Sequence, residues 1–321
     1  VYYHGNNKTE EELAYAIEHN VGQIVVDNLY ELKTLERLAC IYKQEIKIYL
    51  RLNVGIEAHT HRYVITAHID SKFGVLPASK DFQEMLEIIN QSKYLRLVGL
   101  HSHIGSQIFD LTAFQASIER LIQIVKSFDY PLAINLGGGF GVKYTDADQP
   151  IPYDAVAKFL IESVEKELEK QKVHITKLLI EPGRSIVAEA GTTLYTIGSL
   201  KQTPNKLYYF IDGGMTDNIR PALYQANYAA DIVGKEFALK NKVVTIAGKC
   251  CESGDLIIEN TLLPEAEPND LLVTYSTGAY GYSMSSNYNK ALTPAVVFVE
   301  DGIDRLVVKR QTIEQLLERE I

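Results

Sequence analysis

Leu178-Leu179-Ile180-Glu181-Pro182-Gly183-Arg184 is the stretch on which the reading of the fold turns. A short apolar run ends in an acid, then a forced turn, then an arginine. In a β/α barrel, a strand of this kind delivers its last residues to the catalytic mouth. Glu181 placed there can hold a protonated ring nitrogen, while Arg184 and the Gly183 backbone can reach a phosphate or carboxylate. The plainer alternative is a strand end whose Glu and Arg pair at the surface. What the other strand ends carry decides between the two.

Working back from Glu181, the same rhythm repeats. Apolar runs at Val1–Tyr3, Ile24–Val26, Ile46–Leu52, Leu95–Leu100, Leu132–Leu136 and Ile175–Ile180 alternate with segments of helical spacing. Thr9 and Glu12 have capping-box spacing ahead of Leu13, Ala16 and Ile17. Asn28 and Glu31 open a helix carrying Leu32, Leu35 and Leu38, and Val156, Phe159, Leu160 and Val164 mark the helix before Ile175. Six strand–helix units imply a parallel sheet covered by helices. A closed barrel needs eight strands, so the choice is an open doubly wound sheet or a β/α barrel lacking its first two strands. The chain opens without Met on Val1-Tyr2-Tyr3, which reads as mid-strand and favours the partial barrel.

Beyond Gly191 the texture changes to short strands between turn residues: Tyr195–Ile197, Leu207–Ile211, Val243–Ala247, Leu271–Tyr275, Val296–Val299 and Arg305–Val308, with a closing helix from about Thr312 to Glu320. The expectation is a barrel domain over 1–188 and a mainly antiparallel β domain over 189–321.

The chain has 321 residues, a net charge of −9 and 46% hydrophobic residues, enough for a large core and a poor match to a nucleic-acid surface. No apolar run approaches a membrane span, and no signal peptide opens the sequence. The three cysteines, Cys40, Cys250 and Cys251, have no framework spacing, which suggests reduced thiols in the cytoplasm.

Several other stretches carry chemistry. Gly137-Gly138-Gly139 follows the strand before Glu181, where backbone N–H groups can approach an anion; a flexible turn is the ordinary alternative. His101-Ser102-His103-Ile104-Gly105-Ser106-Gln107 follows another strand, with one imidazole suited to lie on an aromatic cofactor and Ser106 to a phosphate. As metal ligands, His101 and His103 share a face, but no cysteine or carboxylate cluster completes a set, so no metal is expected. Cys251-Glu252 pairs a thiol able to deliver a proton with an acid able to recognise an ammonium group; two half-buried thiols before a turn is the plain alternative. Arg220 and Tyr224 offer a cation and a phenol suited to a carboxylate, and Gly278 to Asn289 is dense in hydroxyls and amides, with Tyr280 among them.

In order along the chain, His4–Lys8, Ser71–Gly74, His101–Gln107, Gly137–Gly141, Glu181–Arg184, Arg220–Tyr224, Cys251–Asp255 and Gly278–Tyr280 resemble the motifs of the barrel-type pyridoxal-phosphate decarboxylases, nearest to the diaminopimelate decarboxylase branch. The resemblance covers essentially the whole chain. It implies a pyridoxal 5'-phosphate cofactor and an amino-acid substrate, meso-diaminopimelate, converted to L-lysine and CO₂. It implies that Glu181 pairs with the ring nitrogen and His103 lies on the ring face. Ser106, Gly137, Gly138, Gly139, Gly183, Arg184 and Tyr280 would hold the phosphate or its surroundings. Arg184, Arg220, Tyr224 and Tyr280 would bind the substrate, with Glu252 taking its distal ammonium and Cys251 near the carbon that is protonated. It further implies a homodimer with shared active sites, to which Cys251 and Glu252 are contributed by the partner subunit, and a Lys72–Asp255 pair across that interface. The family's Schiff-base lysine lies on the first barrel strand, upstream of this sequence, and neither Lys8 nor Lys72 matches its motif. The 321 residues are therefore expected to be inactive alone. Two other readings stay open: an ornithine, lysine or arginine decarboxylase of the same fold, and a non-catalytic homologue acting as a binding partner. An alanine racemase would share the barrel without the Cys251–Glu252 pair.

Overall fold

The computed structural model describes residues 1–56 and 70–321; His59 and His61, noted in the sequence within a long loop, lie outside the described residues. The chain forms two compact units, one of residues 1–141 with 150–183, the other of 142–149 with 184–321. The second unit thus takes a short segment from the middle of the first, besides beginning five residues before the expected boundary.

In the first unit β1 (Tyr2–Tyr3), β2 (Gln23–Val26), β3 (Ile46–Arg51), β4 (Leu95–His101), β5 (Leu132–Asn135) and β6 (Ile175–Leu179) make one curled parallel sheet in chain order, with β1 and β6 at its edges. Five helices, α1 (Glu10–Glu18), α2 (Leu29–Tyr42), α3 (Lys80–Gln91), α4 (Thr112–Val125) and α5 (Tyr153–Gln171), alternate with the strands. This is the part-barrel of a β/α fold. The starts of α1, α2 and α3 are set locally: Thr9 and Glu12 complete a reciprocal capping box, and Asn28 and Ser79 accept from the N–H groups of Glu31 and Phe82. Leu13, Ile17, Leu32, Leu35, Phe114, Leu121 and Leu160 then pack onto Ile24, Ile48, Leu50, Leu100 and Ile134 in a continuous core. Strands enclosed in this way need apolar residues on both faces, which is why they read as runs and not as alternations.

The second unit holds a six-stranded sheet in the order β11-β10-β8-β7-β12-β9, formed by β7 (Thr193–Gln202), β8 (Leu207–Ile211), β9 (Ala230–Ile232), β10 (Lys242–Ala247), β11 (Leu256–Leu263) and β12 (Leu271–Thr274). Its pairings are antiparallel except that of β8 with β10. A hairpin, β13 (Val296–Glu300) with β14 (Ile303–Val308), follows it. The short helices α6 (Arg184–Val187), α7 (Arg220–Tyr224) and α8 (Ile313–Leu317) complete the unit. No helix among the described residues is long and apolar enough to cross a membrane.

Candidate functional site

At the C-terminal ends of the parallel strands, three chain segments far apart in sequence meet on one carboxylate. Glu181 Oε1 accepts from His4 Nε2 and from Asn135 Nδ2, each at 2.9 Å, and Oε2 accepts from His101 Nε2 at 3.1 Å. Strand order alone brings this about, because the loop after β1, the last residues of β4 and β5, and the loop after β6 all open on the same end of the sheet. Burial pushes the Glu181 carboxyl up, but the hydrogen bonds from His101 and His4 and their charges outweigh it. They hold the acid well below the usual carboxylate range.

The two histidines of the His101–Gln107 stretch go to different partners. His101 is buried and faces Glu181 and His4, so an acid and a second imidazole do stand beside it, contrary to the sequence expectation; the three donor atoms lie within 4.8 Å of one another. Nothing in the sequence marks this proximity, because Glu181 lies 80 residues from His101. His103 instead accepts the Gly138 N–H through Nδ1 at 3.2 Å. Burial lowers both imidazoles to about 4, with the Arg51 guanidinium adding to the effect at each. The hydrogen bonds agree with neutral rings: Nδ1 of His103 must be unprotonated to accept, and Nε2–H of His101 donates to Glu181. His101 Nδ1 is buried with no hydrogen-bond partner.

The glycine triplet is wedged between these groups. Gly137 has φ +68°, and a Cβ on it would stand 2.7 Å from His103 Nδ1; on Gly138 it would stand 2.2 Å from the carbonyl oxygen of Glu181. Gly139 has φ +102° and the same lack of room against Gly105 O, at 2.2 Å. Glycine is therefore a packing requirement at all three positions, and at Gly137 and Gly139 a conformational one as well. Gly183 differs, with nothing within 4 Å of an added Cβ. Ser106 is half-buried on the loop beyond β4.

Asn135 and Arg51 complete the arrangement. Asn135 is fully buried; its Oδ1 accepts the Gly137 N–H at 2.9 Å while its Nδ2 holds Glu181, which fixes the amide orientation. Arg51 is buried beneath the Phe73 ring, its guanidinium carbon 4.4 Å from the ring centroid and its Nη1 3.7 Å from Asp27 Oδ2. The Ser71–Gly74 stretch is thus a clamp: Phe73 covers Arg51, and the Gly74 N–H reaches Asp27 Oδ1 at 3.0 Å. Lys8 Nζ donates to Gly5 O, Val25 O and Glu31 Oε1, each at 2.8 Å, which uses all three of its protons in the scaffold.

These titrations have a measurable consequence. The folded unit keeps His101 neutral near a pKa of about 4, against an ordinary value of 6.5, so the unfolded chain binds the proton first. Stability is complete above pH 6.5 and falls towards pH 4, by about 3 kcal/mol from His101. Glu181, depressed in its turn, adds a loss only below its ordinary 4.5. Thermal melts from pH 8 to pH 4 will show this decline, and His101→Asn will flatten its upper part; an unchanged slope in the variant refutes the assignment.

In the second unit Arg184 and Arg220 are both buried and share aromatic surroundings. Arg184 stands 4.8 Å and Arg220 5.6 Å from the Tyr280 ring centroid, and Tyr224 lies 5.3 Å from Arg220. Arg184 Nη1 donates to Tyr144 Oη at 2.6 Å, and Arg220 Nε to Tyr228 Oη at 2.9 Å. Tyr280 itself has φ +60° and is 44% exposed, a strained placement that leaves its ring face under both cations. Among the described residues no carboxylate forms an ion pair with Arg220. Cys251 and Glu252 stand exposed on the loop after β10, with Cys250 half-buried; all three cysteines are free thiols. Asp255, expected opposite Lys72, is buried, and its oxygens accept from Met215 N at 2.6 Å and Cys250 N at 2.8 Å in its own chain.

His4, Asn135, Arg51, Tyr144 and Tyr228 were given no role from sequence. Two of them carry a signal in the sequence: His4 opens the His4–Lys8 motif, and Asn135 stands two residues before the first glycine in the spacing of an Asx turn.

Residues 1–188 match the profile of the family described as pyridoxal-dependent decarboxylase, pyridoxal binding domain. The chain is 46% identical to a diaminopimelate decarboxylase of Bacillus methanolicus, over 97% of this chain and 73% of that protein. It is also 46% identical to that of Bacillus subtilis, over 100% and 74%. Among solved structures, a diaminopimelate decarboxylase of M. jannaschii in co-complex with L-lysine superposes with a TM-score of 0.90 at 32% identity, over 100% of this chain and 74% of that one.

Proposed function

This chain belongs to the diaminopimelate decarboxylase family of pyridoxal-dependent decarboxylases, and we propose that it removes CO₂ from meso-diaminopimelate to give L-lysine. The single observation that carries the substrate is Arg220, a cation only 5% exposed with no carboxylate partner among the described residues. A buried charge needs a counter-charge, and a substrate with a distal carboxylate supplies one. Ornithine, lysine and arginine offer none at that end.

The first unit fits the pyridine ring of pyridoxal phosphate. An ionised carboxylate has about four lone-pair directions, and three donors hold Glu181, leaving one for a ring N–H. The loop of Gly137 to Gly139, packed against the Glu181 backbone and His103, is the phosphate cradle of this reading. When bound, pyridoxal phosphate supplies a protonated aromatic ring that accepts the electrons of the breaking carbon–carboxylate bond. Glu181 keeps the ring nitrogen protonated. His103, neutral and fixed by Gly138, offers its flat face. Gly137, Gly138, Gly139, Ser106 and the Gly183–Arg184 turn hold the phosphate, with Tyr280 beside it. Arg184, Arg220, Tyr224 and Tyr280 bind the distal carboxylate. Residues 1–188 act as the cofactor-binding domain and 189–321 as the β domain. The exposed Cys251 and Glu252 serve the active site of a partner in a cytoplasmic homodimer, Glu252 taking the distal ammonium and Cys251 delivering the proton.

The full-length protein loaded with pyridoxal phosphate should release CO₂ from meso-diaminopimelate at a kcat/KM at least about 100-fold above that for L-ornithine or L-lysine, the discrimination expected when a buried charge loses its partner. Equal turnover of the three overturns the assignment.

A further inference from the structure

Resting on the reading of Arg184 and Arg220 as carboxylate ligands, we propose that Tyr144 and Tyr228 are specificity-determining positioning residues that fix the two guanidinium groups for a distal carboxylate. The segment 142–149 leaves the first unit to pack with the second, and its anchoring is dense. Lys143 N donates to Glu189 Oε1 at 3.2 Å, Lys143 O accepts from Ser276 Oγ at 2.9 Å, and Tyr144 O accepts from Ala229 N at 3.2 Å. Tyr144 N is itself held by Asp148 Oδ2 at 3.0 Å. Val142 and Tyr144 are buried in the core of that unit. A tyrosine held this firmly presents its hydroxyl at one place.

That hydroxyl accepts from Arg184 Nη1 at 2.6 Å, and the same ring stands 5.7 Å from the Arg184 and 5.9 Å from the Arg220 guanidinium carbon. Tyr228 meets the Tyr144 ring edge-on at 5.1 Å between centroids and accepts from Arg220 Nε at 2.9 Å. Each arginine thus has a phenolic oxygen among its partners, and the two phenols are held against each other. Arg220 is engaged through Nε, so its Nη groups are the ones left to face an anion in the forked geometry that carboxylates match. Aromatic faces accommodate the two cations without neutralising them, whereas acids in place of the phenols would compete with the substrate.

The test uses the holoenzyme with Tyr144→Phe, which removes one oxygen and keeps the ring. KM for meso-diaminopimelate should rise about tenfold or more while kcat changes less than about threefold, the pattern of a lost binding contact. Inhibition by cadaverine, which has no carboxylate, should not change, nor should the bound-cofactor absorbance. Calorimetric binding of sodium pimelate, a dicarboxylate without amines, should weaken by a similar factor. Unchanged pimelate binding, no pimelate binding by the wild type, or equal weakening towards cadaverine overturns the proposal. If the wild type does not turn over meso-diaminopimelate yet pimelate binding weakens in the variant, the substrate assignment falls and the role of the phenols stands. Should Tyr144→Phe fail to fold, Tyr228→Phe carries the same comparison at Arg220 and is read by the same outcomes.

Discussion

Glu181→Gln is expected to lower kcat for meso-diaminopimelate by about 10²–10³-fold, the range seen when one preorganised electrostatic partner of a developing charge is removed. The substitution keeps size and shape and removes only the charge. Three donors converge on the native carboxylate, from His4, Asn135 and His101. A carboxamide presents an N–H₂ to at least one of them, so a donor meets a donor and the network must rearrange. His101 can answer by changing tautomer, because its Nδ1 has no partner to lose. Asn135 cannot turn without giving up Gly137. On the proposed pairing of Glu181 with the ring nitrogen, that nitrogen would lose the acid that keeps it protonated, and the absorbance of the bound cofactor should shift together with the rate. A variant with native kcat and native absorbance would show that Glu181 is not the nitrogen's partner.

Much of this site was legible because its signals are short in sequence. Thr9 with Glu12, and Asn28 with Glu31, fix helix starts within a few residues. The apolar runs of the parallel strands announce enclosure on both faces, and each run ends in the residues that reach the site. Hidden from this reading was whatever depends on which strand ends become neighbours. The meeting of His4 with Glu181 spans 177 residues, and that of Tyr144 with Arg184 spans 40 and needs the chain to pass from one unit to the other. In the β domain, β9 has only three residues and carries no pattern. β11 is hidden for another reason: Glu259-Asn260 interrupts its apolar run, and Asn260 takes φ +53° where the pairing with β10 slips register. A bulge of this kind breaks the alternation by which strands are recognised.

The glycine triplet supplies the sharpest mechanical test. Gly138→Ala should destabilise the protein by about 3 kcal/mol, which corresponds to a fall in Tm of about 6–12 °C. Its Cβ would stand 2.2 Å from the Glu181 carbonyl oxygen, and that atom cannot retreat cheaply. Glu181 N is bonded to Gly137 O at 2.8 Å, and the side chain beyond it is held by three donors. Relief must therefore come from the glycine loop, whose Gly138 N–H would be drawn away from His103 Nδ1. Pyridoxal phosphate binding, followed by absorbance titration, should weaken in the same variant, since the loop and the acid are displaced together. Gly183→Ala is the control: with open space around the added Cβ, its stability should stay within about 0.5 kcal/mol of the wild type. Equal losses in the two variants would mean that the clash is absorbed elsewhere and that Gly138 does not couple the cradle to Glu181. A large loss confined to Gly138→Ala would tie cofactor affinity to one backbone contact, between the loop after β5 and the carbonyl of the acid after β6.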